Sequence, residues 1–386
     1  MELVNRFFQA PKSSFFLFGP RGTGKSTIVR TLFPEAKIID LLNSEMMRTL
    51  IARPERLGEI LLGNGKETIF VIDEVQKIPD LLPEIHRLQE ENRNWRFILT
   101  GSSARKLKRQ GVNLLAGRAI SRSLHPFLAG ELGKKFCLST ALKLGMIPVV
   151  RTSQEPEEVL RTYVALYIRE EVQYEGLTRN IGNFSRFLEA ISFSHASILN
   201  LANVARECQV ERKTVSNFVQ IIEDLLLAFR LPVFSKKAKR EATVHEKFYL
   251  FDPGVFRLLR QIGPLDQTSE IDGMALEGLV AQHLRACLEY RCQEERLYYW
   301  RTRSGVEVDF VIYGGESFFA IEVKNSSKVF PNDLRSLKTF KEDYPQAQTY
   351  LLYRGKERLK MGDINCMPVD EFLLALKPFD KCFLND

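Results

Sequence analysis

Short apolar runs separated by polar and glycine-rich stretches dominate the first 130 or so residues. Phe15–Phe18, Lys37–Asp40, Thr68–Ile72 and Trp95–Leu99 are blocks rich in aromatic and β-branched residues. They are too short for helices, and the pattern predicts buried strands of a sheet covered on both faces. Ile120–Phe127 supplies a fifth strand. Ser26–Leu32 instead spaces its apolar residues as a helix does and stops near Pro34.

Helical spacing prevails from Pro126 to about Ile181, with Leu160, Tyr163, Val164, Leu166, Tyr167 and Ile168 at core positions. Asn200–Glu207 and Glu211–Ala228 then read as two helices joined by a turn at Cys208–Val210. Two strands follow, Leu231–Phe234 and His245–Phe251, flanking a basic loop from Lys236 to Arg240, so a winged helix is expected. Beyond Pro253 the pattern gives a helix at Gly273–Leu284 and an aromatic strand at Leu297–Trp300. A hairpin of Val306–Ile312 and Phe318–Lys324 completes it.

The fold class expected is therefore α/β. A P-loop NTPase domain with an AAA-like parallel sheet spans 1–128, a helical and winged-helix region spans 129–260, and an α/β domain spans 261–386. A chain of 386 residues suits two or three domains.

The loop after the first strand carries the most specific chemistry. Gly19-Pro20-Arg21-Gly22-Thr23-Gly24-Lys25-Ser26 matches GxxxxGK[ST] between a strand and a helix. Gly19, Gly22 and Gly24 let backbone N–H groups turn toward phosphates, and the helix N-terminus, reaching through Thr27, adds positive potential. Lys25 reaches the β and γ phosphates, and the Ser26 hydroxyl ligates magnesium.

The Thr68–Ile72 run ends in Asp73-Glu74, which places two carboxylates at the C-terminal edge of a parallel sheet. Asp73 is expected to hold the magnesium and Glu74 to polarise the attacking water, the role that separates a hydrolase from a nucleotide binder. Thr100 and Ser102, after the Trp95–Leu99 strand, are sensor candidates. With Lys37–Asp40 between loop and Asp73, the layout is that of ATPases with an inserted strand. Arg118, before the fifth strand, is the candidate arginine finger toward a neighbouring subunit's γ-phosphate.

A second constellation lies near the C-terminus. Residues two apart on a strand share a face, so Glu322 and Lys324 point the same way and the paired strand brings Asp309 to them. With Glu277 from the preceding helix, these carboxylates suit magnesium beside a scissile phosphate, and Lys324 would orient or activate water. An Arg301–Gly305 basic turn leads into the same place.

Composition adds a partner. The net charge is +7, and basic residues cluster at Arg105–Arg109 and Lys236–Arg240. Clustered Lys and Arg gain free energy by releasing counterions from phosphates, which points to nucleic acid. No apolar run approaches a membrane span, Met1–Pro11 lacks a secretory core, and the six scattered cysteines contain no CxxC pair. The expectation is a cytoplasmic protein with no membrane, zinc or disulfide framework.

With both ends in view, the sequence resembles bacterial and archaeal AAA-type ATPases that carry a C-terminal restriction-endonuclease-like, PD-(D/E)xK, domain. The markers are Gly19–Ser26, Ile72-Asp73-Glu74, Leu99–Ser103, Leu115–Arg118, Trp300–Gly305, Asp309 and Ile321–Lys324. Val308 stands where the motif often has proline. The resemblance implies a homo-oligomeric ring, such as a hexamer, in which Arg118 crosses a subunit boundary. It also implies ATP and Mg²⁺ as cofactors, with Mn²⁺ as a substitute at the second site, and metal ligands at Glu277, Asp309 and Glu322. The function expected is an ATP-hydrolysing, DNA-processing enzyme that cuts branched or forked DNA. The alternatives are a nucleotide-controlled switch and a DNA-binding motor ATPase, each with an inactive nuclease-like domain.

Overall fold

In the computed structural model, which describes residues 4–63, 68–103, 119–167, 181–236 and 245–380, the early apolar runs become the strands Phe15–Phe18 (β1), Lys37–Asp40 (β2), Ile69–Asp73 (β3), Arg96–Gly101 (β4) and Ile120–Ser123 (β5). They form one parallel sheet in the order β2-β3-β4-β1-β5. The strand inserted between β1 and β3 is thus β4, and β2, expected there from its place in the chain, lies outside β3. This order sets β4, with Thr100 near its end, between the loop strand and the Asp73 strand.

Both faces of β1, β3 and β4 are covered, which is why their sequences are apolar without alternation. Phe16, Phe18, Ile39, Phe70, Ile72, Phe97 and Leu99 pack with Leu81, Leu82, Ile85 and Leu88 of the helix Leu81–Glu91. Phe8–His125 together with Ile222–Leu226 make this first compact unit.

The second unit comprises Met1–Phe7, Pro126–Ile221 and Leu227–Asp386. Short helices run through Ala129–Leu132, Leu138–Leu144, Pro148–Arg151 and Pro156–Thr162. Leu201–Cys208, N-capped by the Asn200 side chain, and Arg212–Asp224 form the expected helix pair. The second helix stops four residues before the expected Ala228. Leu226 takes a left-handed conformation (φ 60°), the chain turns, and Ala228–Leu231 becomes strand β7 rather than helix. Strands Ser197–Ile198 (β6), Lys247–Leu250 (β8) and β7 form an antiparallel sheet in the order β6-β8-β7.

The C-terminal sheet is mixed. Arg296–Arg301 (β9), Glu307–Gly314 (β10) and Ser317–Lys324 (β11) are antiparallel, as the hairpin pattern predicts. Gln348–Tyr353 (β12) lies parallel to β11, Ile364–Pro368 (β14) parallel to β12, and Leu359–Met361 (β13) closes the edge. Trp300, Val308, Val311, Ala320, Leu337, Phe340 and Leu351 fill the core on one side. The helix Thr268–Arg291 is twice as long as its expected segment and is apolar around most of its circumference, as a helix buried on nearly every side must be. Among the described residues no helix is long and apolar enough to cross a membrane.

Candidate nucleotide site and a buried ion cluster

The loop Gly19–Ser26 leaves β1 and enters the helix Lys25–Leu32 through a left-handed Gly24 (φ 87°), with Gly22 also at positive φ (80°). Side chains rarely adopt these angles, so the glycines permit the turn that aims successive N–H groups inward. Gly19 has a different reason. A Cβ there would lie 2.5 Å from the Leu124 carbonyl oxygen, so the loop packs against the exit of β5 at backbone distance. Thr23 Oγ1 donates to the Pro20 carbonyl at 2.8 Å, and Lys25 Nζ, buried, donates to the carbonyls of Gly19 (2.8 Å) and Pro20 (3.2 Å). Ser26 and the exposed Thr27 lie in the first helical turn.

Asp73 and Glu74 stand at the end of β3, and the neighbouring β4 delivers Thr100 and Ser102 to them. The Thr100 hydroxyl donates to Asp73 Oδ1 and accepts from the Glu74 N–H at 3.1 Å. Glu74 is itself left-handed (φ 62°), an uncommon backbone for a side-chain-bearing residue and one that clusters at functional sites. Its carboxylate is held by a residue that the sequence reading missed. Gln76 Nε2 donates to Glu74 Oε2 at 2.5 Å and to Ser102 Oγ at 2.9 Å. The one signal for it was its spacing, two residues beyond Glu74. The residues present fit an ATP–magnesium complex, for the loop is glycine-shaped, Lys25 is gathered onto it, and Asp73 and Glu74 adjoin on the next strand but one.

At the other end of the chain the structure brings Glu277, Asp309, Glu322 and Lys324 together and adds Lys247, Glu307 and Tyr249. Glu307 and Asp309 share a face of β10, and the ladder to β9 shifts register between Val308 and Val311, a bulge that re-aims the residues within it. Lys247, first residue of β8, is 2% exposed. Its Nζ lies 2.7 Å from Glu277, 2.5 Å from Glu307 and 3.1 Å from Asp309. Tyr249 donates to Glu277 at 2.6 Å. Asp309 Oδ2 accepts from the Val323 N–H at 2.9 Å, Lys324 pairs with Glu322 at 2.6 Å, and Arg301 pairs with Glu307 at 2.8 Å. Glu322 Oε2 is buried and has no hydrogen-bond partner.

Burial, and then the charge of Asp309, push the Glu277 and Glu322 carboxyls well above the usual carboxylate range, although Lys247 and Lys324 pull them back. Burial acts on Lys247 in the opposite direction, but Glu277, Tyr249, Asp309 and Glu307 outweigh it, and its pKa rises well above the ordinary lysine value. The ammonium is therefore charged throughout the physiological range.

This arrangement does not fit the expected metal. Lys247 Nζ stands where the carboxylates converge, and among the described residues no three His, Cys, Asp or Glu side chains are placed to hold an ion. Lys247 opens the otherwise apolar run Phe248–Phe251, and a buried lysine at the head of an apolar strand was the available clue. Arg118 and the clusters Arg105–Arg109 and Lys237–Arg240 lie outside the described residues.

A family model described as AAA domain matches residues 11–133, and two models of domains of unknown function, DUF8612 and DUF4143, match 121–266 and 272–372. Uncharacterized proteins of Mycobacterium bovis and Mycobacterium tuberculosis are each 25% identical over 366 residues, spanning 92% of this chain and 80% of theirs. Among solved structures, the replication initiator DnaA bound to AMPPCP and single-stranded DNA covers 55% of this chain and 82% of its own, at 12% identity and a TM-score of 0.25. AMPPCP-bound DnaA from Aquifex aeolicus gives 55% and 81%, at 14% identity and 0.27. The N-terminal unit, with its parallel sheet, glycine loop and Asp73-Glu74 strand end, is an AAA-type P-loop nucleotide-binding domain.

Proposed function

We propose that this protein is an ATP-hydrolysing, DNA-associated AAA-type machine whose C-terminal domain is nuclease-like in fold and does not cut. The observation that carries the ATPase half is the chain of contacts from Asp73 through Thr100 to Glu74 and from Glu74 through Gln76 to Ser102. In this reading Gln76 fixes the Glu74 carboxylate and the Thr100 hydroxyl fixes the Glu74 backbone N–H; the carboxylate takes the proton of the attacking water as its oxygen bonds the γ-phosphorus and ADP departs. Lys25 neutralises phosphate charge. Magnesium, held by Ser26 and Asp73, would supply further charge neutralisation. Phosphate release by the wild type, Lys25→Ala and Glu74→Gln tests this. Turnover in the wild type and its loss in both variants are expected, and equal turnover in all three would end the reading.

DNA contact rests on the Arg212–Asp224 helix, where Arg212, Lys213, Ser216, Asn217 and Gln220 are exposed at helical spacing on one face. Such a face, on the second helix of a winged-helix unit, suits phosphates and base edges in a major groove. Replacing Arg212 and Lys213 with alanine should weaken binding across sequences and reduce the salt slope by about one per lost phosphate contact. An unchanged slope would remove DNA from the account.

Two readings of the C-terminal domain stand. Magnesium-dependent cleavage of branched or forked DNA is the one the sequence motif suggests. Lys247 at the centre of its carboxylates favours the other, a domain whose contacts are governed by the nucleotide state. The homo-oligomeric ring belongs to the same proposal and would appear as ATP-dependent growth in sedimentation.

A further inference from the structure

Four carboxylates and three cations meet inside the second unit. Glu277, Glu307, Asp309 and Glu322 come from the helix Thr268–Arg291 and from β10 and β11, and Lys324 and Arg301 from the same sheet. Lys247 alone comes from β8, a strand of the small antiparallel sheet. Among the described residues it is also the cation that touches three of the carboxylates, with Arg301 on Glu307 and Lys324 on Glu322 at the rim.

We propose that Lys247 is a built-in counter-ion that replaces a divalent metal, turning a metal-site architecture into an ionic clamp between β8 and the C-terminal sheet. The charge balance supports this. Neutralising Lys247 makes the cluster more negative by one charge, the direction that favours a cation in its place. The contacts support it as well. Asp309 has one oxygen on the Val323 N–H and the other on Lys247, and Glu277 Oε1 receives both Tyr249 and Lys247. A metal would have to displace an ammonium already held within ion-pair distance of Glu277, Glu307 and Asp309.

β8 needs the clamp for a second reason. Tyr249 of β8 reaches Glu277, His195 beside β6 accepts from the Leu250 N–H at 3.0 Å, and a Cβ on Gly278 would lie 2.3 Å from the His195 ring. The helix carrying Glu277 is thus fitted to the small sheet at side-chain distance, and Lys247 joins its charge to that contact. The device is independent of the ATPase reading, since it involves no residue of the first unit.

The test is Mn²⁺ binding to the full-length protein without nucleotide, followed by electron paramagnetic resonance, in the wild type, Asp309→Asn, Lys247→Ala and Lys247→Ala with Asp309→Asn. An Asp73→Asn arm marks any ion held by the nucleotide site. The wild type should show no binding that Asp309→Asn removes. Lys247→Ala should gain one ion per chain at least tenfold more tightly than the wild type, lose it again with Asp309→Asn, and regain thermal stability when Mn²⁺ is added. Lys247→Arg, which keeps the charge, should gain none. Wild-type binding that disappears in Asp309→Asn overturns the proposal even if no Lys247 variant folds. A folded Lys247→Ala protein that binds no ion overturns it too.

Discussion

Asp73 and Asp309 are both buried carboxylates on sheet strands, each beside a glutamate, yet they are satisfied in different ways. Asp73 receives a neutral hydroxyl from Thr100, and the nearby Lys25 ammonium is committed to the carbonyls of its own loop. Asp309 receives a lysine ammonium and a backbone N–H. The first site keeps its lysine for phosphate and would take its divalent ion with the nucleotide. The second carries its cation in its own backbone numbering, at Lys247. Similar acidic motifs therefore say little about metal chemistry until the nearest cation is identified, and that cation can come from a distant segment.

The comparison can be broken most severely at Glu74. Glu74→Gln should lower the rate of ATP turnover by about 10²–10⁴-fold, whereas Asp309→Asn should leave it within about twofold. Turnover that depends on Asp309 would mean the two regions are one machine in chemistry as well as in chain. At the other pole, Lys247→Met should lower the Tm of the second unit by on the order of 10 °C, because removing one partner of a buried ion cluster leaves uncompensated carboxylates. A Tm unchanged by Lys247→Met would make the cluster a solvated surface group rather than a clamp.

Gln76 sharpens the first half. Losing one charge-assisted hydrogen bond to Glu74 in Gln76→Ala should reduce kcat by about tenfold with little change in KM, if Gln76 acts by positioning the carboxylate. An effect on KM alone would assign Gln76 to binding.

The smallest effect concerns a third buried carboxylate, Asp252, which meets neither hydroxyl nor ammonium. It accepts from the N–H groups of Met146 (2.6 Å), Gly254 (2.9 Å) and Val255 (3.2 Å). Burial lifts it to about 6, above its unfolded value, despite those bonds. The sign follows from that direction. Its ionisation costs nothing well below pH 3.8, costs increasingly more as the pH rises from there to about 6, and costs the full amount above that. The Tm deficit of Asp252→Asn relative to the wild type should accordingly shrink by on the order of 5 °C between pH 4 and pH 7. A deficit constant across that range would show that the carboxyl titrates alike in both states.

The sequence made the first region legible because its signals are local. A strand, a glycine loop and a helix follow one another within Phe15–Leu32, and the Asp73-Glu74 pair closes its own apolar strand. Sheet order was not local. β2, which lies between β1 and β3 in the chain, pairs on the far side of β3, because pairing partners of short apolar strands are set by the packing of both sheet faces, which periodicity does not encode. In the second region the β10–β11 hairpin and the convergence of Asp309, Glu322 and Lys324 followed from the two-residue period of strands, and Glu277 was added from the preceding helix. Lys247 did not, since it lies 30 residues before Glu277 and 62 before Asp309 and arrives on another sheet. The end of the Arg212–Asp224 helix was hidden for a different reason, because Leu225–Ala228 is apolar enough to continue a helix and only the left-handed Leu226 stops it.

The contrast between the two regions meets its most direct test in a count of Mn²⁺ ions bound per full-length chain, with and without a non-hydrolysable ATP analogue. The account predicts none without nucleotide and one with it, the latter abolished by Lys25→Ala and unaffected by Asp309→Asn. A nucleotide-independent ion that Asp309→Asn removes would contradict it.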